Sequence, residues 1–182
     1  MKTRSIVTTL RAAAMATALV AVTAHAGSPR DAAARGAYLV NGMGCADCHT
    51  PLKSGAKGPQ PDLSRALSGH PQDAVLPPAP AANGPWIWGG AGTNTAFWGP
   101  WGVSYAANLT PDAATGTGAW SSEQFVRAMK TGKHLGAGRP LAPPMPWQAF
   151  GQLSDTDLRA IFAYLRSLPA VPNRVPTYQP PR

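Results

Sequence analysis

An all-α domain of few helices joined by long ordered loops is the fold class the sequence predicts, and three observations predict it. Three stretches, near residues 30–41, 122–130 and 155–168, combine helical signals with capping residues at their ends. The chain carries 20 Pro and 19 Gly with only 13% charged residues, which argues for long loops rather than a bundle with short connections. Cys45-Ala46-Asp47-Cys48-His49 is a C-x-x-C-H motif, the attachment signature of a c-type haem. A covalently held porphyrin is a large apolar body that loops can pack against, so fewer regular elements suffice.

The motif's chemistry follows from its order. Each thiol can add across a haem vinyl group, and the histidine that follows is left facing the metal. Cys45 and Cys48 are the only cysteines in the chain. A Cys45–Cys48 disulfide or a thioredoxin-like redox pair is the competing reading, but neither needs His49, and the βαβ pattern of such proteins is absent. A zinc site would need further Cys or His ligands at short spacing, and none follow.

Residues 1–26 read as a cleaved secretory signal. Lys2, Arg4 and Arg11 give a positive start, Ala12–Val22 is an uncharged apolar run, and Ala24-His25-Ala26 is an A-x-A cleavage site. The run is too short for a comfortable membrane span, so the expectation is no transmembrane segment in the mature chain. Residues 27–182, roughly 155 in number, form one domain by length. The full chain has net charge +8; 16 basic residues less those three, against 8 acidic, leaves +5. The basic residues are scattered and make no aromatic-interleaved stripe, so nucleic acid is not expected as a partner.

Ser28 caps a first helix over about Arg30–Asn41, with Pro29 at the first helical position and Asp31 at the positive end. Gly42 and Gly44 end it. Gly36, mid-helix, predicts close approach of a second helix, with Tyr38 and Leu39 as adjacent packing surface. Thr50 to about Ala82 reads as loop, with one helical turn near Leu63–Leu67. His70 reads as a surface or hydrogen-bonding histidine, with iron ligation as the alternative. Pro85–Tyr105 holds Trp86, Trp88, Trp98 and Trp101 and shows no helical or strand period. It reads as a loop lining the haem, or as a hydrophobic satellite cluster. Asn108-Leu109-Thr110 is a formal glycosylation sequon that Pro111 makes into a turn. Ser121 and Gln124 form a capping box for a second helix over Ser122–Lys130, closed by Thr131-Gly132. In the last helix Ser154 is the cap, Leu158, Ile161, Phe162 and Leu165 are the apolar stripe, and Pro169 is the stop. Tyr164 is placed to meet the first helix near Gly36. Residues 170–182 read as an extended proline-rich surface tail.

The second chemical site is Pro143-Pro144-Met145-Pro146-Trp147. A methionine between prolines has few backbone conformers to lose, which suits a thioether held against iron opposite His49. Such a Met/His pair raises the reduction potential. Met43, Met129 and His134 are the competing ligands. Arg139 can pair with a haem propionate or stand solvated.

These features together resemble a monohaem class I cytochrome c: the helix carrying Gly36, the Cys45–His49 motif, Met145 among prolines, and the helix ending Tyr164-Leu165-Arg166-Ser167-Leu168-Pro169. More narrowly, Asn108-Leu109-Thr110-Pro111-Asp112, Thr115-Gly116-Thr117-Gly118-Ala119-Trp120 and Pro143–Trp147 are similar to the cytochrome domains of bacterial periplasmic alcohol and aldehyde dehydrogenases. The resemblance implies the class I cytochrome c fold with a long Pro/Gly/Trp-rich insertion, because 96 residues separate His49 from Met145. It implies one covalent haem c on Cys45 and Cys48, with His49 and Met145 as axial ligands. It implies a periplasmic electron carrier rather than an enzyme. The expected donor is a dehydrogenase, and the expected acceptor a cytochrome or oxidase. The alternatives are a tightly bound dehydrogenase subunit, or a haem enzyme or sensor with an open or labile sixth position.

Overall fold

The computed structural model describes residues 28–80 and 85–181. The secretory signal and cleavage site expected over residues 1–26 lie outside the described residues. Helix α1 spans Pro29–Gly42, and Ser28 and Asp31 close a reciprocal capping box at its start. A left-handed Gly44 (φ 69°) turns the chain into the one-turn helix α2, Cys45–His49. Helix α3 is Ser122–Thr131, with the Ser121/Gln124 capping box formed and left-handed Gly132 ending it. A short α4 covers Trp147–Phe150, and α5 runs Asp155–Ser167 under the Ser154 cap.

The domain is not all-α. Two antiparallel sheets occupy the stretches read as loop. The first pairs β1 (Leu52–Gly55) with β2 (Gly58–Pro61), with Lys53 facing Gln60. Pro59 and Pro61 hid this hairpin from the sequence. The Asp62 N–H donates to the Pro51 carbonyl, so Pro51/Asp62 and Lys53/Gln60 are the hydrogen-bonded positions. The prolines fall at the alternate positions, where no N–H is asked for. The second sheet orders β3 (Gly89–Gly90), β4 (Ala96–Gly99) and β5 (Gly102–Tyr105) side by side. Glycines and large aromatics in this stretch blur any period of two. The ladder is instead set by the tight turn at Pro100-Trp101, which brings Gly99 opposite Gly102.

The core lies between α1, α3 and α5: Leu39, Val40, Phe125, Val126, Leu158, Ile161, Phe162 and Leu165 form one buried cluster with Leu67. Its tightest point is at Gly36. A Cβ built there would lie 1.9 Å from the Ala160 carbonyl oxygen and 2.8 Å from Tyr164 Cβ. The expected helix crossing is therefore made at Gly36, against the Ala160 backbone and Tyr164 of α5. Leu39 is buried beside it, whereas Tyr38 points outward under Arg35, 5.6 Å from its ring centre.

The C-terminal tail is extended along the surface, and its residues 174–178 also wall a cavity of the domain. Val103 and Gln179 exchange backbone hydrogen bonds at 2.8 and 2.9 Å. Asn173 is buried; its amide donates to the carbonyls of Ser68 and His70, and its oxygen accepts from the Gln72 N–H. Asn108, in the expected turn, is also buried: its amide donates to the Val171 carbonyl at 2.8 Å, and its oxygen accepts from Thr110. No helix among the described residues is long and apolar enough to cross a membrane.

Candidate functional site

A largely apolar cavity of about 550 Å³ opens between α2, α3, β5, the 139–146 loop and the tail. Cys48, His49 and Met145 all line it, although 96 residues part the last two. Cys45 stands one turn away and packs against the core cluster.

His49 is the best-defined group. It ends α2, is only 7% exposed, and its Nδ1 lies 2.7 Å from the Ala107 carbonyl oxygen. That oxygen can only accept, so Nδ1 carries the hydrogen and Nε2 presents its lone pair. Burial pushes the imidazole below its ordinary value, the Ala107 carbonyl opposing, so the ring is neutral at neutral pH. Nε2 has no hydrogen-bond partner among the described residues, and His49 borders the cavity. A nitrogen so placed is free to bind a metal, and its orientation is held from behind by a carbonyl.

Both cysteines are free thiols. Burial pushes Cys45 up to about 11, and burial followed by the neighbouring Asp47 carboxylate raises Cys48 as well. Neither has the depressed value that a thiolate redox pair needs.

Met145 is carried by a loop tied down on both sides. Ser104 donates to the Pro143 carbonyl, the Leu141 N–H donates to the Gly132 carbonyl at 2.8 Å, and the Trp147 N–H donates to the Met145 carbonyl at 2.9 Å. The Pro143–Pro144 peptide is cis. Trp147 lies directly over Gly132, where a Cβ would come within 2.3 Å of the indole. Met129 and His134 line the cavity too, and His134 packs edge-on against Trp120 at 4.9 Å. Met43 packs against the core cluster and not the cavity. His70 does not line the cavity; it is fully buried, with both ring nitrogens in hydrogen bonds.

None of Trp86, Trp88, Trp98 and Trp101 lines the cavity; Phe97 and Tyr105 do, while Trp88 and Trp101 pair outside it with ring centres 6.5 Å apart. Sequence reasoning missed the Ala107 carbonyl and the tail residues Arg174–Tyr178, which complete the wall. Arg139 and Arg174 both border the cavity and have no carboxylate partner among the described residues. An apolar cavity of cofactor size with a free imidazole lone pair, two unpaired thiols in or beside its wall and two unpaired guanidinium groups fits a covalent haem.

Comparison with known proteins agrees. A nicotinate dehydrogenase component from Pseudomonas putida is 41% identical over 80 residues, 44% of this chain and 7% of that protein. The fructose dehydrogenase cytochrome subunit of Gluconobacter japonicus is 28% identical over 140 residues, 77% of this chain and 22% of that protein. The gluconate 2-dehydrogenase cytochrome c subunit of Pantoea cypripedii is 38% identical over 65 residues, 36% of this chain and 14% of that protein. The chain thus spans less than a quarter of the length of these relatives. The family model for cytochrome c matches residues 33–169, from α1 through the end of α5, and the chain belongs to the cytochrome c family.

Proposed function

We propose that this chain is a periplasmic electron carrier holding one haem c, with thioethers to Cys45 and Cys48 and with His49 Nε2 and Met145 sulfur as axial ligands. The observation that carries the reading is the buried, neutral His49, anchored through Nδ1 to Ala107 and bordering the same apolar cavity as Cys48 and Met145. A haem so held supplies one-electron ferric/ferrous chemistry. The chain's own groups do the rest. His49 is oriented by its carbonyl partner, so it needs no reorganisation between oxidation states. Phe97, Phe125, Leu141, Pro143, Pro144 and Pro146 border the cavity and exclude water, which favours the less charged ferrous form. Arg139 and Arg174 suit the propionates. Filling both axial positions leaves none for a substrate, so the role is transfer rather than catalysis. The donor is a dehydrogenase and the acceptor a periplasmic cytochrome or oxidase. The relatives named as dehydrogenase cytochrome subunits support that assignment, and they equally favour a second reading, a subunit bound tightly to its dehydrogenase.

The test is the exported, purified protein. Its mass should show one haem on the two thiols, and its ferric spectrum the weak sulfur-to-iron charge-transfer band. Met145→Ala should lose that band and bind carbon monoxide rapidly when reduced, while Met129→Ala and His134→Ala keep it. A band that survives Met145→Ala refutes the axial assignment. Unmodified thiols on a colourless protein refute the whole reading. Co-purification with a large catalytic chain selects the subunit form.

A further inference from the structure

His70 is a buried titratable group that the axial chemistry does not use. It has no exposed surface. Its Nε2 lies 3.1 Å from the Ala74 carbonyl oxygen, which only accepts, so Nε2 carries a hydrogen. Its Nδ1 lies 2.9 Å from Thr95 Oγ1, itself 2.9 Å from Thr93 Oγ1. A hydroxyl both donates and accepts. When the ring is neutral, Thr95 donates to Nδ1 and accepts from Thr93. When the ring is protonated, Nδ1–H donates to Thr95, and Thr95 turns to donate to Thr93. The ring is therefore satisfied in either protonation state. Thr93 is only half-buried, so the two hydroxyls also lead from the ring toward solvent.

The ring sits close behind the cavity wall. It packs on Tyr105, centroids 5.0 Å apart, and Tyr105 lines the cavity. The His70 backbone N–H donates to the Ala106 carbonyl at 2.9 Å, next to the Ala107 carbonyl that anchors His49. We infer that His70 is a proton site coupled to the redox centre, taking up one proton when an electron enters the cavity and releasing it when the electron leaves. This rests on the haem reading above. In the step, one electron from the reductant converts ferric to ferrous iron. Thr95 gives its O–H proton to Nδ1 and takes one from Thr93, which takes one from solvent, so each O–H bond broken is remade and the net change is one new Nδ1–H bond. The added electron lowers the local charge by one. In a medium of low dielectric that raises the proton affinity of a neighbouring base. Linkage then makes the reduction potential depend on pH.

The other charged and titratable groups around the ring are few. Asp73 stands three residues on, held by Arg65 through two bonds of 2.8 and 3.1 Å. That pairing keeps its carboxyl below the usual carboxylate range, so it stays ionised through mildly acidic pH. Tyr105 covers one face, and Arg174 follows the Asn173 that binds the His70 carbonyl. Burial pushes the His70 ring below its ordinary value, with the Ala74 carbonyl and Asp73 opposing. The coupled window therefore lies on the acid side of about 6.5.

The experiment is a spectroelectrochemical titration of the holoprotein between about pH 4.5 and 8, wild type against His70→Gln. Roughly tenfold tighter proton binding in the reduced state corresponds to a fall of about 59 mV from the acid to the neutral plateau. His70→Gln should flatten that step, and Thr95→Val, which removes the hydroxyl acceptor, should move it to lower pH. A flat wild-type potential overturns the inference. So does a step that persists in His70→Gln, which assigns it to another group such as a propionate. If His70→Gln does not fold, the wild-type ring resonances of His70 decide: midpoints separated between the ferric and ferrous proteins support the coupling, and coincident midpoints overturn it. A protein without haem sinks both readings, and its spectrum shows this first; a normal low-spin spectrum with a flat potential sinks only this one.

Discussion

Gly36→Ala should destabilise the protein although alanine is the better helix former. A Cβ at residue 36 would lie 1.9 Å from the Ala160 oxygen and 2.6 Å from the Ala160 carbonyl carbon. Both atoms belong to the backbone of α5, so no rotamer change relieves the overlap and the two helices must separate. Overpacking of this kind costs about 1–3 kcal/mol, and displaced backbone puts this site at the upper end. The gain in helix propensity returns about 1 kcal/mol, leaving a net loss of about 2 kcal/mol. For a domain of this size that lowers Tm by about 4–8 °C. Gly42→Ala is the internal control. It closes the same helix, and nothing lies within 4 Å of its added Cβ. It should be neutral or stabilising by up to about 1 kcal/mol. Urea unfolding of the two holoproteins, followed by far-UV circular dichroism, measures both. If Gly36→Ala is as stable as wild type, the α1–α5 contact does not carry the core as argued. If both variants shift alike, helix propensity and not packing is what the substitutions report.

Asn173→Ala should cost about 2–4 kcal/mol in the same assay, because the Gln72 N–H and the Ser68 and His70 carbonyls all lose their buried partner together. A loss under about 0.5 kcal/mol would mean that water replaces the amide freely. Stability should also fall on mild acidification through His70. Its folded value is depressed by burial, so below the unfolded value of about 6.5 the unfolded chain binds a proton that the folded one does not. That contribution is whole above about 6.5 and is lost as pH falls toward the folded value. Urea midpoints of wild type between about pH 7 and 5 should therefore decline more steeply than those of His70→Gln, and parallel declines would refute the assignment.

The elements legible in the sequence are those whose determinants sit within one turn of each other. The capping boxes at Ser28 and Ser121 and the Ser154 cap are contacts between residues three apart. The Cys45–His49 motif is five contiguous residues. The stripe Leu158, Ile161, Phe162 and Leu165 repeats at the helical period, and all four side chains are buried. Gly36 was readable as a crossing because a mid-helix glycine has few other uses. Both hairpins were missed for local reasons of the opposite kind. Prolines in β2 read as breakers, although they occupy positions that donate no hydrogen bond. Aromatics and glycines in β4 and β5 read as irregular, although Gly99 and Gly102 close a tight turn.

By itself, then, the amino-acid order determined the three long helices, the haem-attachment motif and the candidacy of Met145, because each is a short-range pattern of caps, spacing or backbone restriction. Tertiary structure alone decided which groups meet. The carbonyl that orients His49 belongs to a residue 58 positions away. The tail that walls the cavity is held by Asn173, whose partners lie up to 105 positions distant. In each contact the side chain's partner is a backbone carbonyl or N–H, groups that almost every residue carries, so nothing in the side-chain pattern marks that partner. Only the packing of α1 against α5, and of the sheet and tail around the cavity, selects among them.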